Sequence, residues 1–172
     1  MKKIYITGMA GSGKSTLANE LKKRGINAID LDEVEGLCTW RDNLTGEEKD
    51  YYPGIGREWL EKHDWQCNPE RIEEIIDSNN YSEQLVLVGV IGNQNEFLHL
   101  FDQIFLLQID DTILLDRLKN RKTNEFAQDR SEQEYLIDIK ESFEKQMLDS
   151  GAIPISANQS SKQIVNQLLK KG

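Results

Sequence analysis

The chain has little of what most readily settles a protein's class. It carries two cysteines in 172 residues, Cys38 and Cys67, with no C-x-x-C pair. Two are too few for a disulfide framework, and the spacing of Cys38, His63 and Cys67 fits no standard zinc site, so both are expected to be thiols in a reducing cytoplasm. The second histidine, His99, sits in Phe97-Leu98-His99-Leu100-Phe101 and is expected to be packed rather than to bind a metal. No apolar run approaches the ~20 residues of a membrane span, and the N-terminus leads directly into a strand pattern rather than a signal peptide. Basic residues are scarce: 21 Lys and Arg face 30 Asp and Glu, a net charge of −9. That balance argues against tracking a nucleic-acid backbone, which calls for a basic face. Neither a nucleic acid nor a membrane is therefore expected as a partner. Repeats and low-complexity tracts are absent as well.

What is present centres on residues 8–15, Gly-Met-Ala-Gly-Ser-Gly-Lys-Ser. This is the phosphate-binding P-loop pattern G-x-x-x-x-G-K-[ST], also called Walker A. Its glycines (Gly8, Gly11, Gly13) let the backbone curl so that N–H groups, Ser12's included, converge on phosphate oxygens. Lys14 in this pattern reaches the β- and γ-phosphates, Ser15 ligates Mg²⁺, and Thr16 follows in the first helical turn. The flanks agree. Residues 2–7 are a β-branched and aromatic run, hence a strand, and Ser15–Arg24 places Leu17, Ala18 and Leu21 on one helical face before Gly25.

Further strands are expected at 26–30, 85–90, 104–107 and 152–155, with Pro154 marking an end or edge position. Helices are expected between them: one opened by Asn68-Pro69, one over 113–121, one with Tyr135, Ile139, Phe143 and Met147 spaced by four, and a last one carrying Ile164, Val165, Leu168 and Leu169. Alternating strands and helices imply one α/β domain over 1–172, with a five-stranded parallel sheet covered by helices on both faces. Residues 36–80 break the alternation. They hold eleven acids against five bases, together with Trp40, Tyr51, Tyr52, Trp59 and Trp65, and read as an inserted subdomain whose tryptophans form its core.

Ligands of such sheets bind at the C-terminal ends of the strands. There Asp30-Leu31-Asp32 closes the second strand, and alternate residues of an extended segment point the same way. One carboxylate could hold Mg²⁺ through water while the other takes a proton from an acceptor hydroxyl. Gly89 and Gly92 flank the end of the third strand, where missing side chains let a ligand approach. Arg117, Arg121, Lys122 and Arg130 surround an irregular stretch that, with the end of its helix, forms a lid over 117–131. A basic lid can exclude water and balance transferred charge. Arg57 either binds an acidic acceptor group or pairs with neighbouring acids.

Taken together, residues 6–17, Ile29-Asp30-Leu31-Asp32, Gly89-Val90-Ile91-Gly92, 117–122 and Ile155-Ser156-Ala157-Asn158 make the chain resemble the small P-loop kinases of the adenylate-kinase-like, shikimate-kinase-like and gluconate-kinase-like type. The resemblance implies an ATP- and Mg²⁺-dependent phosphotransferase acting on a small metabolite, as a monomer or homodimer. It further implies that Asp30 serves Mg²⁺, Asp32 the acceptor hydroxyl and Arg57 an acceptor carboxylate or phosphate. Arg117 and a lid arginine would contact nucleotide phosphates, and the Ala157-Asn158 turn would border the adenine. The chain departs from shikimate kinases in lacking their Gly-Gly-Gly run and Arg-Pro lid signature. The competing class is an ATPase or regulatory P-loop protein coupling hydrolysis to a partner. No guanine-reading Asn-Lys-x-Asp is present, and the third strand ends in Gly89 rather than in an acid, both of which favour the kinase.

Overall fold

β1 (Lys2–Gly8) shows how the core is divided. Strand side chains alternate between two faces, so Ile4 and Ile6 enter one apolar cluster and Tyr5 the other. β6 (Gln84–Val88) and β7 (Gln103–Gln108) do the same: Val86, Val88, Phe105 and Leu107 join the first cluster, and Leu85, Leu87 and Leu106 the second. With β2 (Asn27–Asp30) and β8 (Ile153–Ser156) they form a five-stranded sheet in the order β2-β6-β1-β7-β8, every pair parallel. The computed structural model describes residues 1–121 and 124–171.

Helices cover both faces. α1 (Lys14–Lys23), α4 (Asp111–Asn120) and α6 (Ser161–Lys171) send Leu17, Leu21, Leu114, Leu118, Ile164 and Val165 into the first cluster; α3 (Pro69–Ser78) sends Ile72 and Ile76 into the second. α5 (Arg130–Asp149) reaches both, through Leu136 and Met147. Local signals act as read: Asn68 caps α3 by accepting from the Glu70 and Arg71 N–H groups, with Pro69 in the first turn. Pro154 lies on β8, an edge strand. Among the described residues no helix is long and apolar enough to cross a membrane.

The insertion holds a second, antiparallel sheet, ordered β4-β3-β5, from β3 (Cys38–Asp42), β4 (Glu48–Lys49) and β5 (His63–Cys67), with the one-turn α2 (Arg57–Leu60) between the last two. Its strands are short and mostly half-buried, so no clean alternation marks them. Pairing places Cys38 opposite Cys67, and the two are joined as a disulfide rather than held as thiols. The 29-residue separation could not announce that register. His99 is exposed rather than packed, because its one-turn 3₁₀ segment (Leu98–Leu100) buries Leu98 instead.

Candidate active site

α1 begins where the glycines of the P-loop end. Gly11 and Gly13 have φ of 88° and 96°, left-handed values that suit glycine. At Gly11 a Cβ would also lie 2.8 Å from Leu114 of α4. The loop thus stays bare and opens its N–H groups at the N-terminus of α1, where an anion is favoured. Lys14 is buried, its Nζ donating to the carbonyls of Gly8 at 2.7 Å and Met9 at 3.0 Å. Burial lowers its pKa to about 8, against the opposing pull of Asp32 and Asp30. Arg117 fixes the loop from α4: Nη1 donates to the Ser12 carbonyl at 3.1 Å and Nη2 to that of Ala157 at 2.9 Å.

The Asp-x-Asp segment is not one extended strand. β2 ends at Asp30, and the chain turns into a 3₁₀ segment (Leu31–Glu33) that Asp30 caps, its Oδ1 accepting from the Asp32 N–H at 3.1 Å. The two carboxylates nonetheless act on each other and both act on Lys14. Asp30 is buried, with Oδ2 lacking any hydrogen-bond partner. Asp32 faces a cavity of about 1010 Å³ that Lys14, Ser15 and Thr16 also line. Trp65 Nε1 donates to Asp32 Oδ1 at 2.9 Å. Desolvation raises the Asp32 pKa, and the Lys14 charge opposes the rise.

Beyond Asp32 the cavity turns aromatic. Trp40 packs with Tyr51, Trp59, Trp65 and Phe126 at centroid distances of 5.2 to 5.8 Å. Of these, Trp40, Tyr51, Trp65 and Phe126 line the cavity, as do Asp64 of β5 and Tyr135, Ile139 and Phe143 of α5. Trp40 and Trp65 are thus subdomain core and cavity wall at once. Arg121 stands on the phosphate side, its charge felt at both Lys14 and Asp32; it donates to the Phe126 carbonyl and lies 6.0 Å from that ring's centre.

A family model described as "AAA domain" matches residues 4–138, most of the chain. The chain belongs to this AAA-domain family. No curated protein is significantly similar to it in sequence. Among solved structures it is similar to the deoxyadenosine kinase of M. mycoides with bound dATP, at 17% identity over 98% of each chain with a TM-score of 0.57. It is also similar to the shikimate kinase of Bacteroides thetaiotaomicron (18%, 98% of each chain, 0.54) and to a gluconokinase of Sinorhizobium meliloti 1021 (14%, 96% of this chain and 87% of that one, 0.50). These likenesses establish that the AAA domain has the fold of the small P-loop kinases.

Within this AAA domain, Gly11, Gly13, Lys14, Ser15, Thr16, Asp32, Gly92, Arg117 and Arg121 line one cavity. Other expected site residues lie apart from it. Arg57 is turned into ion pairs, 2.6 Å from both Glu61 and Asp138. The local excess of carboxylates, two within reach of one guanidinium, explains the difference. Arg130 is exposed and paired with Glu134 one turn along α5. Gly89 makes room for Leu31, 3.2 Å from where its Cβ would be, and its carbonyl accepts from Tyr5 Oη. Gly8 and Ser12 sit behind the loop surface as supports for Lys14 and Arg117. Ala157 is buried against Arg117, and Asn158 Oδ1 accepts from the Asp110 N–H at 3.0 Å. Lys122 lies outside the described residues.

One residue absent from the sequence reading holds the cavity's far wall. Glu132, fully buried in the first turn of α5, accepts from Tyr51 Oη at 3.1 Å, the Gly56 N–H at 3.2 Å and the Ala127 N–H at 3.1 Å. It ties the insertion, at Tyr51 and Gly56, and the turn at Ala127 to α5. Ala127 has φ 58°, a left-handed conformation, and Gln133 Nε2 secures its carbonyl at 3.1 Å. In the sequence Glu132 looks like any acid near a helix start, where the dipole favours one.

Proposed function

We propose that the chain is an ATP- and Mg²⁺-dependent phosphotransferase that moves the γ-phosphoryl group of ATP to a hydroxyl of a small-molecule acceptor. The observation that carries this reading is the place of Asp32. It lines the same cavity as the P-loop residues and the aromatic side chains, so its carboxylate is available to a hydroxyl held beside bound phosphates. A P-loop ATPase has no need of such a chamber.

The steps follow from the residues. The loop N–H groups and Lys14 hold the β- and γ-phosphates. Asp32 accepts the hydroxyl proton as the acceptor oxygen bonds to γ-phosphorus, and the bond from γ-phosphorus to the β–γ bridging oxygen breaks with its electrons passing to ADP. Lys14 and Arg121 balance the charge that spreads over the transferred oxygens. Ser15, exposed on the cavity, and Asp30, whose buried Oδ2 has no hydrogen-bond partner and whose charge reaches Lys14, fit a hydrated Mg²⁺. Bound there, the ion supplies neutralisation of phosphate charge. Arg117 acts through the P-loop backbone that it braces.

The proposed enzyme works as a monomer or homodimer in the cytoplasm, where ATP is abundant; the Cys38–Cys67 disulfide is the observation opposing that location. The test is MgATP-dependent ADP release with and without pooled metabolites, against Lys14→Ala. Acceptor-stimulated release that the variant loses supports the kinase. Release indifferent to every pool supports an ATPase instead.

A further inference from the structure

Building on the kinase reading, we propose that the acceptor is a hydroxylated ring compound with no anionic group, and that Asp64 selects it by accepting from a nitrogen donor at the end remote from the reacting hydroxyl. Three observations lead there.

The first is how charge is divided along the cavity. Its cations, Lys14, Arg117 and Arg121, all belong to the phosphate end, where Arg121 influences Lys14 and Asp32 and Arg117 grips the P-loop. Among the described residues of the cavity, Arg121 is the one Lys or Arg that reaches an aromatic wall, at Phe126, and it is shared with the P-loop end; none lies against Asp64. Arg57, the guanidinium whose charge reaches Tyr135, is held by Glu61 and Asp138. An acceptor carboxylate or phosphate placed at the Asp64 end of the chamber would therefore be desolvated beside a carboxylate with no partner, an arrangement that costs several kcal/mol in general.

The second is Asp64 itself. Half-buried on the cavity wall, its carboxylate has no hydrogen-bond partner among the described residues. Tyr135, the adjoining His63 and the bare backbone of Gly92 lie against it, while Arg41, its partner across the β3–β5 pair, is turned to the Gly46 carbonyl and Glu48. Burial raises its pKa, with only His63 opposing. His63 is itself occupied, stacked 4.0 Å from Trp59 with Nδ1 2.7 Å from the Trp59 carbonyl. A Cβ at Gly92 would come within 2.9 Å of Asp64 Cβ, so glycine there leaves Asp64 its position. A lone desolvated carboxylate is satisfied by an incoming N–H or ammonium donor.

The third is the wall. Trp40, Trp65, Tyr51 and Phe126 offer ring faces and edges, surfaces that suit a flat ring and attract a cation.

The experiment measures MgATP-dependent ADP release with three acceptor sets: nucleosides and aminocyclitols, which carry N–H or ammonium groups; nitrogen-free cyclic polyols; and nucleoside monophosphates and cyclic hydroxy acids, which are anionic. Turnover of the first set, with acceptor KM raised about tenfold or more in Asp64→Asn and by more than kcat falls, is expected for one lost hydrogen bond to a charged group. Affinity for a fluorescent ATP analogue, measured in the same variant, reports that the protein is folded. Gly92→Ala, which displaces Asp64 without removing it, is expected to move KM the same way. Preferred turnover of the anionic set or the nitrogen-free polyols, or an unchanged KM in Asp64→Asn, overturns the assignment and leaves the kinase standing. Release that no set stimulates overturns both.

Discussion

Replacing Glu132 by glutamine keeps its shape and removes one acceptor from a carboxylate that serves three donors. The two backbone donors use different oxygens: Gly56 N–H reaches Oε1 and Ala127 N–H reaches Oε2. Whichever way the amide is turned, one buried N–H then faces an NH₂ group. The Tyr51 hydroxyl can rotate, but a backbone N–H cannot. An unsatisfied buried donor costs about 1–3 kcal/mol, and the surviving bonds weaken as they lose their charge, so the variant should lose about 2–4 kcal/mol. For a chain of this size that is a Tm drop of roughly 4–16 °C. Thermal and urea unfolding measure it, with Glu134→Gln as the control, because that residue's pair with Arg130 is exposed and worth at most about 0.5 kcal/mol. The same substitution loosens the insertion from the Ala127 turn, so acceptor KM should rise. A Glu132→Gln protein within about 1 kcal/mol of the parent would refute the claim that this carboxylate clasps the cavity's far wall.

If Lys14 holds phosphate as proposed, it does so as the ammonium, and with its pKa lowered to about 8, MgATP affinity should be flat below that pH and fall above it. Bound phosphates favour the ammonium, so the alkaline limb of kcat should lie at higher pH than that of kcat/KM; a Kd constant from neutral pH to well above 9 would contradict this. Arg117→Met removes two donors to backbone carbonyls, Ser12 and Ala157, and isothermal titration should show MgATP binding weakened about tenfold, or ~1.4 kcal/mol. Thiol titration of the unfolded protein should find no free thiol before reduction and two after it, and Cys67→Ser should lower stability by about 2–4 kcal/mol for a loop of this length.

The parts of the molecule legible in its sequence are those whose causes are local. Gly11, Gly13, Lys14 and Ser15 lie within one turn of chain, and their spacing carries the reason for it. Leu85–Val88 reads as a buried strand because both faces are apolar, and Asn68-Pro69 reads as a helix start because one side chain caps the next turn. What stayed hidden depends on pairing between distant segments. The β3–β5 register, and with it the Cys38–Cys67 disulfide, follows from contacts across 29 residues. Asp64 gains its meaning only when Gly92 and Tyr135 close around it, and Glu132 only when the insertion and the Ala127 turn reach α5. Arg57 illustrates the converse. Its charge left acceptor binding and pairing with neighbouring acids equally open, because nothing local says which way a guanidinium turns, and Glu61 and Asp138 hold it. The Asp30-Leu31-Asp32 segment does not run on as a strand: β2 ends at Asp30, and the 3₁₀ turn that follows is set by the cap that Asp30 itself provides.

The most direct test follows the γ-phosphate itself. Protein supplied with γ-labelled MgATP and the nitrogen-bearing acceptor set is expected to place the label in an organic phosphate ester, with Asp32→Asn losing that transfer while still binding nucleotide. Label recovered only as inorganic phosphate, at a rate no acceptor changes, would contradict the account.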